Sequence, residues 1–370
     1  MIIQRYILRE LLVTFALAFA AVVGVCAIGI IFQTLRSYEG MTLAFIVRLA
    51  PVALSQMSPW AMIAAACLTA TLVYGRLAAD NEIDAIRTSG VHVARILVPA
   101  VLFGLILSGL AYMIHGEAAP RARYARRSLI KETVLLVLRH PPSGPQTEIR
   151  LGARNRLSYA NCSEGRLDRP ALLILEGTRP SFLYFAREGR LDVPDDGPPS
   201  ITLVDSALAM FNPKGAPSEL PRVELDISFK DERTVPFELD DIYKRRRGPE
   251  DMPTDELTAY LAHAASAAEA AANPKRAAEA LTEYHGRMAR SLAPFVLVLL
   301  CTPIGIFVKK GNRLAGMGVA LPPIIGYIVL LMFGEGLAAK RQLAPEVATW
   351  GSVGILAAVA LVLLWRVVRR

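Results

Sequence analysis

Polar and apolar residues divide this chain into two regimes. In the first, predominantly apolar residues run for about the 20 positions that a helix needs to cross the hydrocarbon core of a bilayer. Such runs cover residues 11–33, 52–74, 93–114, 292–308, 314–333 and 347–365. Between the third and fourth lies the second regime, in which short apolar stretches alternate with Pro- and Gly-rich turns such as HPPSGP and DDGPPS. The stretches at 133–138, 148–151, 156–159, 171–175, 182–185, 201–211 and 223–229 read as strands. Many short strands at close spacing predict a sandwich, barrel or jelly roll. After Pro253 the pattern becomes helical, opening at TDELTAYL, where Thr254 is placed to cap the helix and Glu256 falls in its first turn. An alanine-rich run follows at 262–280, interrupted at Asn273-Pro274.

This pattern predicts an α-helical membrane protein with six transmembrane helices in a 3+3 arrangement and an inserted β domain. The expected divisions are 1–118 for the first three spans, 119–252 for the β domain, 253–288 for a helical connector and 289–370 for the last three spans. Two proline features bear on the spans: Pro59 lies inside the second, and Pro322-Pro323 inside the fifth is expected to free backbone carbonyls and bend it.

Charge adds an orientation. The chain carries a formal net charge of +8, and an excess of Lys and Arg gathers on the cytoplasmic side of short loops. Arg5, Arg9, Arg76, Arg87, Arg95, Lys309, Lys310, Arg313, Arg366, Arg369 and Arg370 all fall on one side, against Arg36, Arg48, Lys340 and Arg341 on the other. The richer side is read as cytoplasmic, with both termini there and the β domain on the far side. Arg121, Arg123, Arg126 and Arg127 run against this bias, but they head a large translocated domain, where the rule counts less. With so many spans, the basic excess points to a membrane surface and not to nucleic acid. Cys26, Cys67 and Cys301 fall in apolar runs, which leaves Cys162 without a disulfide partner in the polar region.

Enzymatic signatures are absent. No HExxH, GxSxG or GxxxxGK[ST] occurs, so no zinc-protease, serine-hydrolase or Walker-type ATP site is expected. The five histidines, His92, His115, His140, His263 and His285, are scattered without metal-ligand spacing. No catalytic residue, metal or cofactor is expected.

One short polar stretch, ADNEIDAIRTSG at 79–90, separates the second and third apolar runs. Asn81 reads as an N-cap, with Glu82 and Asp84 in the first turn, where the helix dipole favours carboxylates. Asp84 stands three residues after Asn81, as in a capping box. Ala79, Ile83 and Ile86 share a face, Arg87 is in the last turn, and Gly90 can end the helix in left-handed geometry. About two turns of helix are not stable alone in water, so this one must pack on something. An interfacial helix would place its carboxylates against an anionic leaflet; a docking knob would insert them into a partner's groove. The residues alone leave both open.

Several segments, in order, resemble the LptF/LptG permeases of the lipopolysaccharide export ABC transporter. They are RYILRELLVTF at 5–15, GRLAADNEIDAIRTSGV at 75–91, HGEAAPRARYAR at 115–126, EYHGRMARSLAP at 283–294, PIGI at 303–306 and KKGNRLAGMGVAL at 309–321. Asn81 stands where the family has Ser before its Glu, here Glu82. The resemblance implies a periplasmic β-jelly roll between two three-span bundles, in the inner membrane of a Gram-negative bacterium. It implies pairing with a paralogous permease subunit as an F/G heterodimer, and an LptB-like cytoplasmic ABC ATPase dimer gripping the coupling helix through Asn81, Glu82, Ile83, Ile86 and Arg87. Further implied partners are an LptC-like single-span protein, which can insert at a gate between the first and fifth spans, and a periplasmic LptA-like bridge. Lipopolysaccharide would be the cargo. Arg36, Arg123, Arg126 and Arg127 suit its phosphates, because Arg pairs bidentately with phosphate; flanking the membrane, or pairing with Glu39 and Glu117, is the alternative for them. The other open readings are a lipoprotein-release or mechanotransmission permease, which usually has one span before its periplasmic domain, and a membrane-anchored scaffold or sensor.

Overall fold

The computed structural model describes residues 2–37, 43–139, 141, 146–151, 154–163, 165–176, 179–194, 199–211, 223–229, 231–237, 248–264, 274–307, 313–339 and 343–369. Contacts divide the chain into a helical unit (Met1–Gly29, Pro51–Arg123 and Arg247–Arg370) and a second unit (Ile30–Ala50 and Tyr124–Arg246) that contains the β-sheet.

The helices are α1 (Ile2–Ser37), α2 (Leu43–Ala79), α3 (Glu82–Thr88), α4 (Ala94–Met113), α5 (Ala119–Arg139), α6 (Thr254–Ala264), α7 (Pro274–Phe307), α8 (Arg313–Ala339) and α9 (Pro345–Arg369). Six stretches within them are long and apolar enough to span a membrane, three before the sheet and three after it. Helix is the form these runs must take, because lipid offers no partner for backbone N–H and C=O groups. The spans do not share the core equally. The second is 72% buried within the unit and the fourth 61%, against 6% of the first and 28% of the fifth. Cys67 and Tyr74 of α2, Phe103 of α4, and Leu297 and Cys301 of α7 lie fully enclosed at the centre. The first span contributes Ile7 and Leu11 to that core, while Leu17 and Val25 stay exposed. α8 is one continuous helix through Pro322-Pro323.

Close packing of α2 on α7 depends on glycine. A Cβ at Gly305 would stand 2.9 Å from the Thr71 carbonyl oxygen. One at Gly334 of α8 would collide with the carbonyl oxygen of Ala348 on α9.

The sheet is antiparallel throughout, with nine strands among the described residues. They are β1 (Gln146–Leu151), β2 (Asn155–Tyr159), β3 (Asn161–Ser163), β4 (Arg166–Asp168), β5 (Ala171–Glu176), β6 (Arg179–Asp192), β7 (Ser200–Phe211), β8 (Val223–Phe229) and β9 (Arg233–Pro236). Two long strands, β6 and β7, form its spine. Along one flank β6 pairs first with β5 and then with β4; along the other β7 pairs with β9 at its start and β8 at its end. The sheet therefore splits into two halves that share a spine, a jelly-roll-like arrangement. At Asp205, whose φ is 52°, the ladder skips one position between Val204↔Glu188 and Ser206↔Ala186 without a change of register. Leu157, Leu167, Leu172, Ile201 and Leu203 fill the interior, following the two-residue period of strands with one face inward.

Two departures from the sequence reading are local. The stretch 133–138 is not a strand: α4 continues through a π turn (Ile114–Ala118) into α5, which carries those residues as helix and sets Leu138 into the β core. A short run of Val and Leu is compatible with either form, and here the incoming helix decides. The short strands β3, β4 and β9 were not anticipated, being three or four residues long with little apolar signal. Of the alanine-rich run, 265–273 lies outside the described residues; α6 starts at Thr254, but Thr254 is its first helical residue and not its cap, the Leu257 N–H donating to the Pro253 carbonyl, and α7 begins with Pro274 at its first position.

Substituting Gly305→Val should destabilise the helical unit by about 1–3 kcal/mol, the usual cost of overpacking. Gly326, which faces open space, should accept Ala with little change. Thermal unfolding of the detergent-solubilised chain measures both; equal melting of the two variants would contradict the packing described.

Candidate functional site

Two polar features stand out at opposite ends of the bundle. The first is α3 with its flanking turns. α2 leads into it through two residues, Asp80 and Asn81, whose N–H groups donate to Arg76 and Ala78 carbonyls at 2.9 and 3.3 Å. Asn81 does not cap as expected. Its φ of 56° places it in the left-handed region, and its side chain makes no cap hydrogen bond. The tight turn requires that backbone, which Asn tolerates. The far end is as the sequence suggests. Gly90 has φ 81°, its N–H donates to the Arg87 carbonyl at 3.0 Å, and the Val91 N–H reaches Ile86 at 3.4 Å, a Schellman closure. Thr88 and Ser89 hydroxyls donate to the Ala85 and Ile86 carbonyls.

The two isoleucines anchor this helix. Ile83 is buried, and Ile86 packs against the same bundle core. Beneath them the buried Tyr74 hydroxyl donates to the Ile96 carbonyl at 2.9 Å, joining the end of α2 to the start of α4. Asp80, Asn81, Ala85, Thr88 and Ser89 are exposed, with Glu82, Asp84 and Arg87 half-buried. The apolar side is thus consumed within the chain, and a polar face stands outward. At the same end of the bundle Arg76 of α2 pairs with Glu10 of α1 at 2.8 Å.

The second feature was not read from the sequence as a site. It is an ion network in which Glu283 of α7 is the shared acceptor. Arg287 Nε donates to its Oε1 at 2.9 Å and Arg290 to its Oε2 at 2.9 Å, while Arg123 of α5 stands 3.5 Å from Oε1. Arg290 also reaches Glu335 of α8 at 3.2 Å. Arg287, almost fully enclosed, donates to the Pro249 and Glu250 carbonyls at 3.1 and 3.3 Å, and Arg123 donates to that of Glu250. The 3₁₀ turn at Pro249–Asp251 is thereby tied to α5 and α7. Beside it the Thr254 hydroxyl donates to the carbonyl of Gly116 in the π turn at 3.2 Å. Buried charges persist only when paired and hydrogen-bonded, and here one carboxylate satisfies parts of three guanidiniums. The signal available in sequence was the i, i+4, i+7 spacing of Glu283, Arg287 and Arg290 on one helix face.

Among the predicted phosphate-binding arginines, Arg123 belongs to this network. Arg36, Arg126 and Arg127 lie on α1 and α5, and their side chains fall outside those described. Arg121 forms an exposed i, i+4 pair with Glu117 at 2.9 Å. The structure does not bring the α3 residues and Arg123 together; the length of α4, about 30 Å for its 20 residues, separates them.

A six-span helical protein in 3+3 layout, interrupted by an antiparallel jelly-roll-like domain, is the class that this architecture defines. The sequence model of the lipopolysaccharide export system permease LptF/LptG matches residues 5–366, nearly the whole chain, and the chain belongs to that family. It is a multi-pass permease of the inner membrane, a non-catalytic membrane subunit of lipopolysaccharide export. No individually curated protein matches the chain at a significant level.

Replacing Glu283 by Gln should lower stability by about 3–5 kcal/mol, because it leaves buried guanidiniums uncompensated. Glu117→Gln, in the exposed pair, should change it by no more than about 0.5 kcal/mol. Chemical denaturation of both variants in detergent provides the comparison, and an innocuous Glu283→Gln would remove Glu283 from its central place.

Proposed function

We propose that this chain works as one half of an ATP-driven machine that extracts lipopolysaccharide from the membrane, with α3 as the element through which ATP hydrolysis moves the spans. In this reading both termini and α3 are cytoplasmic, and the β domain is periplasmic. The short-loop bias of Lys and Arg supports that orientation. An LptB-like ATPase dimer grips α3, a paralogous permease completes an F/G pair, and an LptC-like protein and an LptA-like bridge receive the cargo.

The observation that carries the reading is the division of labour on α3. Ile83 and Ile86 are engaged with the bundle, and Tyr74 ties together the helices on either side. A push on the polar face is thereby transmitted to α2 and α4 and not dissipated in a loop. The jelly roll accepts lipopolysaccharide leaving the bundle, and Arg36, Arg126 and Arg127 offer cations for its phosphates. Arg123 serves that role indirectly, through the turn it holds at Glu250.

Glu82→Ala should weaken association with the ATPase by roughly tenfold, the scale of one lost charge-assisted hydrogen bond. Co-purification of the solubilised complex and lipopolysaccharide-stimulated ATP hydrolysis both read it. A variant that keeps full association and full coupling would remove α3 as the transmission element.

A further inference from the structure

Arg290 differs from the other arginines of its network. It divides its donors between a deeply set partner on its own helix, Glu283, and a more open one on a different span, Glu335. The side chain of Glu283 is 15% exposed and that of Glu335 is 42% exposed. Exposed ion pairs are individually weak, so of the two contacts it is the one to Glu335 that yields first. α8, which carries Glu335, is a peripheral span with Ile325, Val329, Met332 and Phe333 exposed along its length.

Among the described residues several buried donors of this network lack a hydrogen-bond partner, two of them on Arg290 and on Tyr327, which interacts electrostatically with both Arg290 and Glu335. Arg290 Nε is buried and unbonded, and so is the hydroxyl of Tyr327, two turns earlier on α8 and almost wholly enclosed. A carboxylate has two oxygens to offer and Glu335 uses one of them on Arg290. A phosphate group offers three oxygens and matches a guanidinium bidentately. Ionisable residues within spans pair with one another and also mark substrate pathways.

We propose that Arg290 and Tyr327 form a binding site for the phosphate of a lipid headgroup, occupied alternately by Glu335. In the state described, Glu335 holds α8 against α7. An arriving phosphate takes Arg290 from Glu335 and gains donors from Arg290 Nε and Tyr327. Glu335 then turns to solvent, and α8 is unlatched. Charge on Arg290 stays compensated throughout, since one anion replaces another. The proposal rests on the permease reading for the identity of the lipid, but the anion site itself rests on the geometry alone.

The test uses the full chain in detergent, with three probes: intact lipopolysaccharide, its dephosphorylated form and inorganic phosphate. Glu335→Gln frees Arg290 and should tighten binding of intact lipopolysaccharide severalfold. Arg290→Gln should weaken it about tenfold, the loss of a charge-assisted contact, with Arg290→Lys intermediate because it keeps charge but not the fork. Tyr327→Phe, which keeps the ring, should weaken it by a smaller factor. Dephosphorylated lipopolysaccharide should be indifferent to all four changes. Unchanged or weaker binding by Glu335→Gln, or equal sensitivity of the dephosphorylated form, would overturn the proposal. If inorganic phosphate stabilises wild type against thermal unfolding but not Arg290→Gln, the anion site stands even where lipopolysaccharide fails to bind, and that failure counts against the permease reading. Absence of stabilisation by phosphate together with Arg290-independent lipopolysaccharide binding would sink the anion site while leaving the permease reading intact.

Discussion

The Glu283 carboxylate sits among three guanidiniums at the end of the bundle from which the β domain departs. Lipid and apolar side chains cannot solvate such charges, so they are stable only when they satisfy one another. Arg287 and Glu283 share α7, Arg123 arrives from α5, and Arg290 extends the network to Glu335 on α8. The re-entry of the chain at Pro249–Asp251 is then held by backbone carbonyls accepting from Arg287 and Arg123. An apolar replacement of the whole network can pack as well, but it would not specify which turn meets which helix. Polar pairing supplies that register.

The opposite end is organised by a different economy. α3 is too short to persist alone, and its stability comes from Ile83 and Ile86 entering the bundle core. What remains outward is polar and rigidly based. Apolar residues hold the element in place and leave the polar ones outward. Between the two ends, Tyr74, Phe103 and Leu297 make an apolar column through the second, third and fourth spans, while the first and fifth stay peripheral. A bundle built this way centres on its second and fourth spans and leaves the first at the rim.

Much of this was legible in the sequence because hydrophobic length and period are strong signals. All six spans, the strands at 171–175, 201–211 and 223–229, and the glycine stop at Gly90 follow from them. The failures have physical reasons. Residues 133–138 are apolar and β-branched enough to pass for a strand, yet they continue a helix that began in the membrane. Asn81 was expected to cap because Asn often does, but a two-residue turn from α2 puts it in left-handed backbone, and its side chain makes no cap hydrogen bond. The ion network was missed because its members are scattered from Arg123 to Glu335, and only tertiary folding brings them together.

Photo-crosslinking along α3, in membranes containing the assembled transporter, tests the central claim most directly. A photoreactive residue at Asn81, Ala85 or Thr88, which face outward, should capture the cytoplasmic ATPase, while one at Ile83, which faces the bundle, should capture only this chain. Crosslinks to lipid alone from the outward positions, or equal capture of the ATPase from Ile83, would contradict a coupling role for α3.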